Sequence, residues 1–294
     1  MKTNISGVGV ALVTPFKKNR EIDFTALERL VAHVSEGGVD YLVALGTTAE
    51  TPTLSAAERR EVIACIKHNN KKSLPLVIGV GCNSTRQVID DLAATDLDGV
   101  VAVLSVTPYY NKPSQRGLYE HYKAIAAASP VPVLLYNVPS RTGVNMTAET
   151  TLKLAHEVSN ICGVKEACGS LGQMAYILRN RPEDFLVLSG DDSMTLPLLS
   201  IGGDGIISVI SNVFPAEFTG MVAAALKGDT ATAAALQMRL LEATDALFEE
   251  GNPVGVKTAL AIKDLTKDFV RLPLVEGSDA LAEKFRRIIA ENNL

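Results

Sequence analysis

The stretch Ile161-Cys162-Gly163-Val164-Lys165-Glu166-Ala167 combines the apolar run of a buried strand with a lysine near its end. Burying an ammonium group is unfavourable, so a lysine in this position requires a reason. Chemistry offers one, because a neutral amine attacks a carbonyl carbon to form an imine, and the iminium then draws electrons from the neighbouring carbon. The structural alternative is a lysine whose stem packs while its head reaches water. The surrounding residues decide between the two.

The rest of the chain repeats the pattern of that stretch. Eight short apolar runs, each followed by a helical pattern, are typical of parallel strands that are covered on both faces. This alternation predicts a closed α/β barrel of the (β/α)8, or TIM-barrel, type. The predicted strands span residues 8–13, 41–45, 76–80, 100–104, 133–136, 161–165, 185–189 and 205–209.

A doubly wound open sheet is the alternative arrangement of the same elements. Its dinucleotide-binding fingerprint needs a third glycine, but Gly79 and Gly81 are followed by Ser84 at that position. The missing glycine favours the closed barrel.

The pattern changes after Phe214, where helical stretches follow and no strand is predicted. These stretches cover roughly residues 215–228, 229–250 and 254–292, the last with breaks. We therefore expect a barrel core in residues 1–213 and a C-terminal helical extension in residues 214–294.

Local signals place several of the helices that follow the strands. Asp23 opens an amphipathic stretch that stops at Gly37-Gly38. Ser55-Ala56-Ala57-Glu58 has the spacing of a capping box. A further helix is predicted from about residue 85 to residue 94, and another begins near Thr147.

Composition and charge exclude several classes of protein. The chain has 294 residues, of which 47% are hydrophobic and 21% charged, as in ordinary globular proteins. Its net charge is −5 and it has no basic stripe, so we expect no nucleic acid and no membrane among its partners. The four cysteines form no C-x-x-C pair and no signal-type segment is present. These features predict a cytoplasmic protein with reduced thiols.

Reactive side chains cluster at the predicted carboxyl ends of the strands, which is where barrels of this type hold their active groups. A tyrosine phenol can exchange protons with a reacting carbonyl, threonine hydroxyls can bind a carboxylate, and an arginine fork suits a carboxylate. The clustered residues are Thr47, Thr48, Thr107, Tyr109, Tyr110, Tyr136, Arg141 and Lys165, and the stretch Gly190-Asp191-Asp192 follows the seventh strand.

Each of these residues also has a purely structural interpretation. Tyr109 and Tyr110 could form a surface or interface pair, Arg141 an exposed charge, and Thr47 and Thr48 caps for loose backbone groups. Their coincidence at one rim of the barrel favours a site. Neither an H-E-x-x-H motif nor a Walker loop is present, so the sequence predicts no metal site and no nucleotide site.

Several spaced motifs, in the right order, resemble those of the 4-hydroxy-tetrahydrodipicolinate synthase family, also called dihydrodipicolinate synthases. The resemblance covers nearly the whole chain, and the lysine motif alone would indicate only the wider superfamily of pyruvate-dependent lyases. That superfamily includes N-acetylneuraminate lyase and keto-sugar-acid aldolases, whereas Arg141-Thr142-Gly143 favours the synthase. The other motifs are Gly46-Thr47-Thr48-Ala49-Glu50, Thr107-Pro108-Tyr109-Tyr110-Asn111, Tyr136-Asn137-Val138-Pro139, Gly163-Val164-Lys165-Glu166 and Ser189-Gly190-Asp191-Asp192.

The resemblance implies roles for individual residues. Lys165 forms an imine with pyruvate, and Tyr136 donates and accepts protons. Thr47 and Tyr110 complete a proton relay with Tyr136. Thr48 binds pyruvate with the main chain near Ile207, and Gly190 also takes part in substrate binding. Arg141 binds the carboxylate of L-aspartate-4-semialdehyde.

The resemblance also implies the reaction and the assembly. An enamine of pyruvate on Lys165 attacks the aldehyde of L-aspartate-4-semialdehyde, and ring closure releases 4-hydroxy-tetrahydrodipicolinate, a precursor of diaminopimelate and lysine. The family needs neither a metal nor an organic cofactor. Its members are usually homotetramers built as two tight dimers, in which Tyr110 reaches across the dimer interface.

Two positions depart from the family pattern. Ala49 stands where the family usually has glycine, and we expect the change to be tolerated. The lysine-binding site of feedback-inhibited members uses a histidine and a glutamate, at positions that are Ala56 and Gln87 here, although Asn83 and Tyr109 fit. Losing an anion from a site that binds an amine weakens it, so we expect poor inhibition by lysine.

Two other functions compete with the synthase. The first is a sister activity on a keto-sugar acid. The second is a catalytically silent sensor of small molecules on the same barrel, against which the intact Lys165, Tyr136 and Arg141 argue.

Overall fold

A computed structural model describes residues 5–294 of the chain. Its strands form a closed barrel in which they follow one another in sequence order. This arrangement confirms the predicted (β/α)8 fold. The strands are β1 (Gly7–Ala11), β2 (Tyr41–Ala44), β3 (Leu76–Gly79), β4 (Val100–Val106), β5 (Val133–Asn137), β6 (Ile161–Glu166), β7 (Leu186–Ser189) and β8 (Gly205–Ser208).

Helices follow the strands and then continue alone to the end of the chain. The helices are α1 (Phe24–Glu36), α2 (Ala56–Asn69), α3 (Thr85–Ala94), α4 (Gln115–Ala128), α5 (Pro139–Thr142), α6 (Ala148–Glu157), α7 (Leu171–Asn180), α8 (Thr195–Ser200), α9 (Pro215–Leu226), α10 (Thr230–Glu249), α11 (Val254–Ile262) and α12 (Asp279–Asn292). The helical extension after β8, α9 to α12, agrees with the predicted helical tail.

The strands are largely apolar because both of their faces are covered. Every residue of β1, β2, β5, β7 and β8 is buried. Such strands cannot show the alternation of polar and apolar residues that marks a half-exposed sheet.

The predicted helix starts are confirmed by their hydrogen bonds. The Asp23 carboxylate accepts a hydrogen bond from the backbone N–H of Ala26 at 3.0 Å. Ser55 and Glu58 form the complete capping box, with each side chain accepting from the backbone N–H of the other residue. These bonds satisfy amide groups that the first turn of a helix leaves without partners.

One helical segment differs from the prediction. Helix α5 was not predicted, because a single turn is too short to show helical periodicity. Pro139 begins this turn and Gly143 ends it in the left-handed conformation, with φ of 73°. The helical stretch 254–292 has the predicted break, which separates α11 from α12.

The chain divides into two compact units. One contains residues 75–207, with β3 to β7, most of β8 and the helices between them. The other contains β1, β2, α1 and α2 together with residues 208–294. The boundary between residues 1–213 and 214–294 stays a prediction. No helix within residues 5–294 is both long enough and apolar enough to cross a membrane.

Candidate active site

Lys165 on β6 lies next to Tyr136 on β5. The two residues are direct partners in the parallel register of these strands. Both are buried, Lys165 being 5% exposed, and the Lys165 Nζ lies 4.2 Å from the centre of the Tyr136 ring. A buried amine beside a phenol places a nucleophile next to a group that can give and take a proton.

Gly190 follows β7 and leaves the space that the Lys165 side chain occupies. A Cβ at this position would lie 3.1 Å from the Cε of Lys165 and 2.7 Å from the Cβ of Ala167. The backbone N–H of Gly190 also donates to the carbonyl of Glu166 at 2.8 Å. Glycine is therefore the residue that allows this segment to approach the amine closely.

Glu166, the residue after Lys165, is a fully buried carboxylate to which the sequence analysis gave no role. It accepts hydrogen bonds from the Asn137 Nδ2 at 2.9 Å and 3.1 Å, from the Gln173 Nε2 at 2.9 Å, and from the Cys168 backbone N–H at 2.9 Å. Burial raises the pKa of Glu166, and the hydrogen bonds from Asn137 and Gln173 oppose the rise.

This carboxylate ties together the two strand ends that carry the reactive pair. Asn137 follows Tyr136 on β5, and Glu166 follows Lys165 on β6. The backbone N–H of Met146 donates to the Asn137 Oδ1 at 2.9 Å, which fixes the amide that faces Glu166. A satisfied buried network of this kind holds a single arrangement. In the sequence, the one sign of this network is an ionisable residue, Glu166, inside a buried strand.

Arg141 lies on α5 and is exposed. The buried Thr142 beside it accepts a hydrogen bond from the Thr107 Oγ1 at 3.3 Å and donates to the Val144 carbonyl at 3.0 Å. These bonds fix the helical turn to the end of β4. The guanidinium is thus carried by an ordered turn, and its fork suits a carboxylate.

Tyr110 does not pack with the buried pair Lys165 and Tyr136. Its side chain is 84% exposed, and its backbone has φ of 70°, which is uncommon for a bulky residue. Tyr109 is also partly exposed, and its carbonyl accepts a hydrogen bond from the Asn83 Nδ2 at 3.2 Å. Ile207 is buried on β8.

Thr47 and Thr48 belong to the other compact unit, where they form a 3-10 turn after β2. The Thr48 side chain is buried, and its Oγ1 accepts a hydrogen bond from the Asn252 Nδ2 at 3.0 Å. The carbonyl of Ala49 accepts a hydrogen bond from the Thr14 Oγ1 at 2.8 Å. The turn is therefore held by residues that are distant in sequence.

A buried ion pair holds the end of this turn. The Lys257 Nζ contacts the Glu50 carboxylate, donates to the Phe269 carbonyl at 2.9 Å and lies 4.1 Å from the centre of the Phe16 ring. The Arg271 backbone N–H donates to the second Glu50 oxygen at 2.9 Å. Burial lowers the pKa of Lys257 to about 8, against the attraction of Glu50. This pair was not predicted from the sequence, in which its only sign is a lysine in the apolar stretch 254–262.

The cysteines and the potential metal ligands form no centre in the part of the chain that the structure describes. Within residues 5–294, no group of three His, Cys, Asp or Glu side chains is placed to hold a metal ion. Cys65, Cys82, Cys162 and Cys168 are not joined in disulfides. Burial, together with the nearby Glu166 carboxylate, raises the pKa of Cys168 to about 12.

Comparison with known proteins identifies the family of this chain. The model of the dihydrodipicolinate synthetase family matches residues 4–292. The chain belongs to that family. A family member from Parabacteroides distasonis, named 4-hydroxy-tetrahydrodipicolinate synthase, is 48% identical over 288 residues, covering 98% of this chain and 97% of the relative. One of the same name from Phocaeicola vulgatus is 49% identical over 291 residues, covering 99% and 98%.

The fold is also that of solved members of the family. The crystal structure of dihydrodipicolinate synthase from Thermotoga maritima has a TM-score of 0.96 and 39% sequence identity, covering 99% of both chains. The eight-stranded barrel and the helical tail described above are thus similar to those of an experimental structure along nearly the whole chain.

The residues that depart from the family pattern lie in helical segments. Ala49 is buried in the 3-10 turn and is not among the residues with positive φ, so its side chain causes no backbone strain there. Ala56 is the exposed first residue of α2. The Gln87 Nε2 donates to the Asp91 Oδ1 at 2.8 Å, so Gln87 is engaged within its own helix.

Proposed function

We propose that this chain condenses pyruvate with L-aspartate-4-semialdehyde to give 4-hydroxy-tetrahydrodipicolinate, through an imine on Lys165. The observation that carries the proposal is the buried Lys165 amine 4.2 Å from the centre of the Tyr136 ring, at the ends of paired strands. Membership of the dihydrodipicolinate synthetase family supports the same reaction.

The chemistry begins at the Lys165 nitrogen. The neutral amine adds to the keto carbon of pyruvate, and water leaves as the imine forms. The iminium loses a proton from the methyl group, and the resulting enamine attacks the aldehyde carbon of the second substrate. The amine of that substrate then displaces Lys165 as the ring closes. Tyr136, whose ring contacts the Lys165 nitrogen, supplies and removes the protons of these steps.

The remaining residues bind the substrates and carry protons. Thr48, together with the main chain near Ile207, binds the pyruvate carboxylate, and Gly190 keeps the space around Lys165 open for the imine. Arg141 binds the carboxylate of L-aspartate-4-semialdehyde through its guanidinium fork. Thr47 and Tyr110 extend the proton relay from Tyr136.

The assembly that we propose is a homotetramer built as two tight dimers, located in the cytoplasm. The exposed Tyr110, with 84% of its side chain accessible, supports a role at an interface with a second copy of the chain. Sedimentation velocity of the wild type and of a Tyr110→Arg variant tests the assembly. The wild type should sediment as a tetramer and the variant as smaller species, whereas a monomeric wild type would contradict this part of the proposal.

We also propose that lysine is a poor inhibitor. Ala56 is an apolar residue and Gln87 a neutral one, so neither can match the charge of the lysine amine. Initial rates measured at increasing lysine concentration test this proposal. Half-maximal inhibition at submillimolar lysine would contradict it.

Borohydride trapping tests the proposed reaction directly. The protein is incubated with pyruvate and borohydride, digested, and mapped by mass spectrometry, and the adduct should lie on Lys165. Condensation is then assayed with pyruvate and L-aspartate-4-semialdehyde. N-acetylneuraminate and 2-keto-3-deoxygluconate are assayed separately, as substrates of the sister activity. Absence of an adduct would favour a silent sensor, and turnover of a sugar acid alone would favour the sister activity.

A further inference from the structure

We propose that Asn252 is a positioning residue that fixes the direction of the Thr48 hydroxyl and thereby the affinity for the keto-acid carboxylate. This inference rests on the proposed function, in which Thr48 binds the carboxylate of pyruvate. Asn252 precedes α11 in the helical region after the barrel, where no active group was predicted.

The direction of the hydroxyl follows from the hydrogen bond between the two side chains. The Asn252 Nδ2 lies 3.0 Å from the Thr48 Oγ1, and an amide nitrogen can only donate. The Thr48 oxygen is therefore the acceptor, which leaves the hydroxyl hydrogen to be donated in another direction. Both side chains are buried, at 9% and 2% exposure, so water competes weakly for this bond.

The backbone around Thr48 is fixed, so the Thr48 Oγ1 keeps its place, and only its hydrogen, which turns about the Cβ–Oγ1 bond, takes its direction from neighbouring side chains. Leu45 and Glu50, on either side of the turn, have left-handed backbone conformations with φ of 55° and 54°. The Glu50 carboxylate is held by Lys257 and by the backbone N–H of Arg271. Non-glycine residues keep such conformations only where the surrounding contacts determine them.

A donating hydroxyl is the arrangement that a carboxylate requires. An ionised carboxylate accepts hydrogen bonds and donates none, whereas a neutral amide of the same shape does both. Asn252 thus makes Thr48 selective for a keto acid over its amide. A carboxylate in place of the Asn252 amide would accept the Thr48 hydrogen and turn it away from the substrate.

The test compares Asn252→Ala and Asn252→Asp with the wild type in borohydride trapping by pyruvate. The pyruvate concentration that gives half-maximal adduct should rise about tenfold in Asn252→Ala, because one orienting hydrogen bond is lost. The same concentration should rise about a hundredfold in Asn252→Asp. The new carboxylate accepts the Thr48 hydrogen, which then points away from pyruvate, and its negative charge repels the pyruvate carboxylate. The KM for L-aspartate-4-semialdehyde and kcat should change less than about threefold.

A second readout separates orientation from general damage to the fold. Adduct formation is repeated with pyruvamide, and the preference of the wild type for pyruvate over pyruvamide should fall at least about tenfold in Asn252→Asp. Equal weakening of both ligands would indicate a merely structural role and overturn the inference. Asn180→Asp is the matched control, because Asn180 is exposed and its Nδ2 donates to Tyr176 of the same helix.

A double-mutant cycle tests whether Asn252 acts through Thr48. In a Thr48→Val background the Asn252→Ala change should have no further effect on half-saturation by pyruvate. The same rise in both backgrounds would overturn the inference. If Asn252→Asp does not fold, Asn252→Ala and Asn252→Ser carry the test.

The inference and the proposed function fail in different ways. A wild type that forms no adduct with pyruvate refutes the proposed function. A wild type that forms the adduct, with Asn252 variants that saturate at the same pyruvate concentration, refutes the role of Asn252 alone.

Discussion

Lys165 and Tyr136 are register partners on β6 and β5, and the side-chain nitrogen of Lys165 lies 4.2 Å from the centre of the Tyr136 ring. Adjacent parallel strands bring residues at matching positions within about 5 Å of each other across the sheet. The contact therefore follows from the ends of two strands and does not depend on a flexible loop. Glu166 and Asn137, the next residues on the same strands, are joined by hydrogen bonds that hold the two ends in this register.

This contact predicts that the two side chains serve different steps. Lys165→Ala should give no borohydride adduct with pyruvate. Tyr136→Phe should still form an adduct but lose about 10²- to 10⁴-fold in kcat, as expected for removal of a general acid and base. Tyr119→Phe is the control, because its hydroxyl bonds Glu157 on the surface. Full activity of Tyr136→Phe would show that the Tyr136 hydroxyl does not act as a general acid or base.

A second prediction concerns the space that Gly190 leaves for the lysine. The methyl group of Gly190→Ala would approach the Lys165 Cε to 3.1 Å, so the side chain must shift. We expect imine formation, measured by stopped-flow trapping, to slow by about tenfold or more. Gly172→Ala is the matched control, since its Cβ would meet nothing closer than the Ser170 Oγ at 3.8 Å. Equal rates of imine formation in Gly190→Ala and Gly172→Ala would show that the added methyl group does not hinder Lys165.

The fold was predictable because covered parallel strands are largely apolar and the turns between elements carry their own signals. Each predicted strand was found, and the strand order of the barrel makes β5 and β6 neighbours. The position of Lys165 beside Tyr136 could be predicted for the same reason, since both residues end predicted strands. Helix α5 could not be predicted, because one turn carries no periodicity.

The supports of the site could not be predicted, because they join residues far apart in the chain. Glu50 is paired with Lys257 and Thr48 with Asn252, across sequence separations of 207 and 204 residues. No local pattern encodes a contact of that length. The sequence showed only the unusual residue types, such as a lysine in an apolar helix.

A third prediction concerns the buried pair of Lys257 and Glu50, whose side chains are 0% and 1% exposed. Lys257→Met leaves the Glu50 carboxylate buried without its cation, which should cost about 3–5 kcal/mol of unfolding free energy. Lys284→Met is the control, because Lys284 pairs with Glu249 at 2.5 Å on the surface and should cost less than about 1 kcal/mol. Urea denaturation at one protein concentration measures the unfolding free energy of both variants. Similar losses in Lys257→Met and Lys284→Met would show that burial does not make the Lys257–Glu50 pair more costly to break.

The last prediction concerns pH and the buried His121 on α4. Its Nδ1 is hydrogen-bonded to the Thr85 Oγ1 at 2.8 Å, and burial lowers its pKa from 6.5 to about 4. As pH falls from 6.5 towards 4, His121 takes up a proton in the unfolded chain but stays neutral in the folded protein. Protonation therefore favours the unfolded chain, and stability is lost over this range. The wild type should therefore lose roughly 3 kcal/mol more unfolding free energy than His121→Gln over that range.

His121→Gln is a suitable variant because its amide can keep the hydrogen bond to Thr85 without titrating. His68→Gln is the matched control, since His68 is exposed on α2 and should leave the pH dependence of the wild type unchanged. Urea denaturation at closely spaced pH values, at one protein concentration, gives the three curves. Parallel curves for the wild type and His121→Gln would show that protonation of this imidazole does not contribute to acid unfolding.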